Sequence, residues 1–142
     1  MSEIKFKNHL PIQLRFNDID IIGHVNNSVY FNFLDLGKTA YFEAVRGEHF
    51  EWSNINIVIR NIQADFVCPT FYKDKIAVET AVVKIGNKSM HMYQEIIDIE
   101  TRAVKCSCTT IMVGFDPKTN QSAEITQCWK ESIREYEQNP EL

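Results

Sequence analysis

From Ile4 to Phe16 the apolar residues fall on even positions (Ile4, Phe6, Leu10, Ile12, Leu14, Phe16), while Lys5, Lys7, His9, Gln13 and Arg15 occupy odd ones. This alternation predicts a half-buried strand. Pro11 has no amide hydrogen to offer, so the strand lies at a sheet edge or turns that position away from a partner. The period then changes. Val29, Phe33, Leu36, Ala40 and Ala44, with Leu34, Tyr41 and Val45 beside them, recur at helical spacing from about Ser28 to Arg46, and Gly47 follows. Gly37 in mid-helix costs about 1 kcal/mol against alanine, which close approach of the helix to a sheet would offset.

Strands dominate the remainder. Between Asn54 and Val67 the apolar phase runs Ile55, Ile57, Ile59 and then slips to Ile62, Ala64, Phe66. A slip of one residue near Arg60 and Asn61 predicts a β-bulge, which curls a sheet. Cys68-Pro69 ends that strand. Lys75 to Ile85 is apolar on both faces and should be covered on both sides. A turn at Gly86-Asn87-Lys88-Ser89 leads to a strand from Met90 to Ile99, and Glu100 to Arg102 turns into Ala103 to Phe115. After Asp116-Pro117, Ser122 or Thr126 is expected to cap a terminal helix carrying Trp129, Ile133 and Tyr136 on one face. One strand, a long helix, four strands and a short helix can bury their apolar faces only if the sheet wraps the helix or stacks upon it. The bulge favours wrapping.

The chain has 142 residues, 44% of them hydrophobic and 24% charged, and is read as one domain over residues 1–142. A net charge of −4 argues against a nucleic-acid partner, which needs contiguous basic surface. No apolar leader or membrane-spanning run is evident, so a cytoplasmic protein without membrane attachment is expected. Cys68, Cys106, Cys108 and Cys128 lack zinc-ligand spacing, and neither a metal nor a cofactor is expected. Cys106 and Cys108, two apart on a strand, read as buried thiols on one face.

Chemistry concentrates in residues 15–35, RFNDIDIIGHVNNSVYFNFLD. A helix N-terminus offers unpaired amide hydrogens and partial positive charge to a developing oxyanion, and a carboxylate just upstream can attack or activate water. Asp18 and Asp20 are the acids so placed. Asp18 reads as a turn residue, and Asn27 as the helix cap. His24 reads equally as a catalytic group or as a donor bracing the turn.

Arg15, the spaced Asp18/Asp20 pair, Gly23-His24, Asn26-Asn27 and Tyr30 resemble the motif of hotdog-fold acyl-CoA thioesterases of the 4-hydroxybenzoyl-CoA thioesterase type. Gly86 and Ser89, three apart in the Gly-Asn-Lys-Ser turn, are a second and weaker match. The resemblance implies an α+β hotdog fold, in which a five-stranded curved antiparallel sheet wraps a long central helix and a short C-terminal helix follows. It puts the catalytic carboxylate at Asp20, with His24 retained beside it. The plant branch of the family has Asn where Ile22 stands here, so an extended Asp-Asn-His network is not implied. The backbone of Gly23, Val25, Asn26 and Asn27 falls where the thioester carbonyl is held, with Tyr30 as pocket wall, and Gly86, Lys88 and Ser89 fall near coenzyme A. Some branches take an acid from the central helix, for which Asp35 is the candidate here, ranked below Asp20. A homodimer or homotetramer is implied, with second strands pairing edge to edge, here around Ile55 to Ile59. The expected activity is hydrolysis of an acyl-CoA, or of an acyl-carrier-protein thioester, to free acid and thiol. Asp20 would serve as general base or nucleophile. The alternatives are a non-catalytic hotdog module binding acyl thioesters or lipid-like ligands, and a hotdog hydratase, which the motif fits less well.

Overall fold

The computed structural model describes residues 3–49, 51 and 56–142. Strand β1 (Asn8–Ile12) precedes a 3-10 turn (Phe16–Asp18) and the helix α1 (Asn27–Arg46), which runs into a second 3-10 turn (Gly47–His49). Strands β2 (Ile57–Phe66), β3 (Ile76–Ile85), β4 (Ser89–Asp98) and β5 (Val104–Asp116) follow, then the two-residue β6 (Gln121–Ser122) and helix α2 (Gln127–Glu137). The sheet is antiparallel in the order β1-β3-β4-β5-β2, with β6 added to β5. The curved sheet and its long helix are the hotdog architecture.

The periodicities translate closely into these elements, with corrections at their ends. The first strand is shorter than its alternation, because only Asn8 to Ile12 find partners on β3. As Pro11 requires, β1 is an edge strand. The register of β2 on β5 steps between Ile59 and Asn61, leaving Arg60 as the bulged residue. Asn54 and Ile55, at the start of that run, lie outside the described residues. Two further register steps, at Val82/Lys84 and Ile96/Ile97, add to the curl. The helix cap is Asn26 and not Asn27: the Asn26 side chain accepts from the Ser28 amide at 2.9 Å, and Asn27 is already helical. Of the two capping candidates for α2, Thr126 serves, accepting from the Trp129 amide.

Burying each large apolar side chain contributes about 1.5–3 kcal/mol, and α1 does so in two clusters. Toward its N-terminus Tyr30, Phe33 and Leu34 meet Ile76, Val78, Ile96, Cys106 and Cys108. Toward its C-terminus Tyr41 and Phe42 meet Val82, Met90, Met92 and Met112, closed over by Ile125, Trp129 and Ile133. Between them Gly37 touches the sheet. A Cβ there would lie 2.5 Å from Val78 Cγ1 and 2.8 Å from Gln94 Nε2, so no larger residue fits without displacing α1. Cys106 and Cys108 are buried as expected. Burial pushes the Cys106 thiol up to about 12, which removes it as a nucleophile near neutrality.

Candidate active site

The loop between β1 and α1 is built by its own polar groups. Asp18, almost fully buried, accepts from the Arg15 amide at 2.8 Å and from the Arg15 guanidinium at 3.1 Å, closing the 3-10 turn. Its carbonyl accepts the Asn26 amide at 3.1 Å. Inside that frame a second loop forms: the Asp20 amide donates to the His24 carbonyl at 3.1 Å and the Gly23 amide to the Asp20 carbonyl at 3.0 Å. Gly23 has a φ of 97°, a conformation that side chains strongly resist. A bridge between Ile19 and Val25 joins the two limbs, and the Val25 amide donates to the Thr70 carbonyl at 2.8 Å.

Asp20 sits half-buried at the junction. Its Oδ1 accepts from the Ile22 amide at 2.9 Å, while among the described residues Oδ2 meets only Asn26 Nδ2, at 3.5 Å. One oxygen is therefore held by the turn and the other is nearly free to act as a base or nucleophile. The Gly23, Val25 and Asn26 amides are occupied. Among the described residues the His24 and Asn27 amides meet no acceptor, and Asn27 opens α1, where the helix dipole favours negative charge. A carboxylate and unengaged amides at the start of a buried helix can deliver oxygen to a carbonyl and stabilise the oxyanion that results.

His24 is half-buried, with its ring edge-on to Phe71 at 6.3 Å. Tyr30 lies in the core behind the loop, its hydroxyl donating to Thr70 Oγ1 at 2.8 Å. Burial raises its pKa above the usual phenol value, and the ring packs in the core cluster with Phe33 and Leu34. Asp35 lies two turns along α1, exposed and paired with Lys38 at 3.3 Å. The Gly86–Ser89 turn is not brought to Asp20 within one chain. Strand β1, which leads into the Asp20 loop, reaches the Ile76 end of β3, and the turn closes the Ile85 end, about 30 Å away along the strand. There Lys88 is exposed, and its carbonyl accepts from the Gly114 amide.

Sequence reasoning missed Thr70, which is fully buried and anchors both Val25 and Tyr30. Nothing in its surroundings, a threonine after Cys68-Pro69, marks it. Also missed was the apolar surface around the site. Ile21 and Ile22 are fully or largely exposed, and Phe31 and Phe66 meet edge to face at 6.2 Å, both partly exposed. Their signal is the presence of large apolar residues at positions the core does not use.

The model of a thioesterase-like superfamily matches residues 14–133. The chain belongs to that superfamily. Among curated relatives of this superfamily member is the long-chain acyl-CoA thioesterase FadM of Escherichia coli (strain K12), 23% identical over 128 residues, covering 87% of this chain and 95% of FadM. Its fold is similar to that of a thioesterase from Thermus thermophilus complexed with coenzyme A and zinc (TM-score 0.83, 23% identity, 95% and 97% of the two chains covered). It is also similar to an Asp→Asn variant of 4-hydroxybenzoyl-CoA thioesterase complexed with 4-hydroxybenzoyl-CoA (TM-score 0.78, 19% identity, 88% and 96% covered).

Proposed function

We propose that the protein is an acyl-CoA thioesterase in which Asp20 delivers oxygen to the thioester carbonyl. The observation that carries this is the half-engaged Asp20 carboxylate beside the unengaged His24 and Asn27 amides at the start of α1. Its occurrence in a thioesterase-like superfamily member supports the reading. In the general-base route Asp20 takes a proton from water as the water oxygen bonds to the acyl carbon. The oxyanion collapses, the C–S bond breaks, and the proton passes to the departing thiolate. In the nucleophilic route an Asp20 oxygen bonds to the acyl carbon, the thiolate leaves, and water cleaves the mixed anhydride. A thiolate of moderate pKa needs little acid assistance, so no strong proton donor is demanded of His24. A relative that acts on acyl-CoA and a fold neighbour that holds coenzyme A support coenzyme A over a carrier protein.

The working unit in this reading is a homodimer. Among the described residues strand β2 pairs only with β5, and it leaves Val58, Ile59, Ile62 and Phe66 partly exposed beside an unpaired edge, which in folded proteins is normally covered. A second copy paired along β2 would cover them and bring a partner surface to the Phe31–Phe66 side of Asp20, where the acyl group would lie. It would also give the Gly86–Ser89 turn a route to a neighbouring Asp20. Stacking of two dimers would give a tetramer. Among the described residues no helix is long and apolar enough to cross a membrane and the four cysteines are free thiols, which supports a cytoplasmic location.

A thiol-release screen of the purified protein over short, medium, long and aromatic acyl-CoAs tests the proposal. Turnover with at least one class is expected. Tight acyl-CoA binding without thiol release would replace it with the non-catalytic reading.

A further inference from the structure

The two apolar clusters under α1 are separated by a polar seam. Asn8 on β1 pairs with Thr80 on β3, Thr80 with Gln94 on β4, and Gln94 with Cys108 on β5. Residues directly opposite on neighbouring strands share a face, so these four side chains form one row across the inner surface of the sheet. All are buried, and Thr80 and Gln94 are fully so. Gln94 Nε2 donates to the Leu34 carbonyl and to Thr80 Oγ1, both at 3.0 Å, directly beneath Gly37. Gln94 Oε1 is buried without a hydrogen-bond partner.

This arrangement costs stability, because a buried acceptor without a partner keeps the full desolvation penalty of its polar group and an apolar residue would join the clusters on either side. What it supplies is direction. The apolar contacts of α1 tolerate small slides along the sheet, since hydrophobic burial is non-directional. Among the described residues the Gln94 bond to the Leu34 carbonyl is the one hydrogen bond from a strand to α1. The other contacts of the helix through side-chain hydrogen bonds reach Thr70 in a loop, or α2. Leu34 lies about 10 Å along the axis from Asn27, so a slide at Gly37 is transmitted to the first turn of α1, where the loop carrying Asp20 enters the helix.

We infer that Gln94 is a positioning residue for the thioester site: by clamping the Leu34 carbonyl beneath Gly37, it sets how far α1 advances along the sheet and hence where its first amides stand relative to Asp20. This rests on the thioesterase reading. Gln94→Met keeps the volume and removes the clamp. It is expected to lower kcat about tenfold or more, as misplacement of order 1 Å does, with KM within about twofold of the parent value. Hydrogen exchange of the Asn27 to Phe31 amides should accelerate. Met90→Ala, in the far apolar cluster, is the control for stability loss alone and should leave kcat unchanged. Wild-type kcat in Gln94→Met overturns the inference, as does an equal loss in Met90→Ala. Should Gln94→Met fail to fold, Thr80→Val loosens the same clamp and is expected to lower kcat about threefold on the same grounds, and unchanged kcat there is equally fatal. If the parent protein releases no thiol, the thioesterase reading falls, while unchanged amide exchange in Gln94→Met separately sinks the clamp.

Discussion

The two ends of α1 are finished in opposite ways. At the C-terminal end Phe42 meets Trp129 edge to face at 5.6 Å, Arg46 stacks on the same indole, and Ile133 is fully buried. Glu137 completes the seal. It accepts from Tyr41 at 2.6 Å and from the Val82 amide at 3.0 Å, a donor beyond the reach of β1, whose pairing stops at Thr80. Burial and that carboxylate push the Tyr41 phenol far above its ordinary pKa. Among the described residues no second helix covers the core at the N-terminal end. The loop around Asp20 is tied by backbone hydrogen bonds, the His24 and Asn27 amides meet no acceptor among the described residues, and large apolar side chains face outward. One end is finished within the chain for stability. The other is left open, with Ile21, Ile22 and Phe31 at the surface.

The largest effect should come from breaking the sealed end. Trp129→Ala is expected to destabilise the protein by about 3–5 kcal/mol, read as a lower urea midpoint, with turnover per folded molecule unchanged. A large fall in turnover at full folding would show that the two ends are not independent. Asp20→Asn is the reciprocal change at the open end. The amide can still accept from Ile22, so the melting temperature should hold, while kcat falls about 100-fold, as for loss of a base. Retained turnover would move the chemistry elsewhere, with Asp35 as the next acid to replace.

Asn26→Ala sharpens the contrast further. It removes the cap of α1 and the Asn26 Nδ2 donor to Asp20 Oδ2, and should cost about 1 kcal/mol together with a several-fold fall in kcat. A stability loss without any kinetic change would separate the cap from the site.

The smallest effect is expected on the outer face of the sheet, which belongs to neither end. Glu95 lies opposite Glu79, and burial first, then the Glu79 charge, raise its pKa above the usual carboxylate value. A carboxyl whose folded pKa is raised binds its proton more readily when folded, so its ionisation increasingly destabilises the fold as pH climbs from the ordinary carboxylate range through the raised value. Glu95→Gln should therefore raise the melting temperature modestly at pH 7 to 8 and leave it unchanged near pH 4. Equal shifts at both pH values would show that packing and not charge is responsible.

The architecture was largely legible because its signals are local. The one-residue slip at Arg60 emerged as a register step, Gly37 as a close approach of helix to sheet, and Pro11 as an edge, while the two-sided apolar run from Lys75 to Ile85 is buried on both faces over residues 76–82 and leaves Val83 and Lys84 exposed. Each depends on side-chain period or on the conformational limits of one residue. Where neighbouring candidates were chemically alike, as with Asn26 and Asn27, local pattern could not choose, because the backbone angle that makes a residue the cap depends on where the preceding loop enters the helix.

What the chain alone determined, then, is which residues are apolar on which face and which polar groups crowd the entry to α1, since those follow from sequence spacing. What tertiary structure decided is everything that depends on contacts between distant segments: Thr70 gripping the loop 45 positions before it at Val25, the Gln94 clamp on Leu34, and the separation of the Gly86–Ser89 turn from Asp20 by the length of a strand. Spacing records the face on which a side chain emerges. It does not record what the opposing surface places in front of it, because that surface comes from another part of the chain.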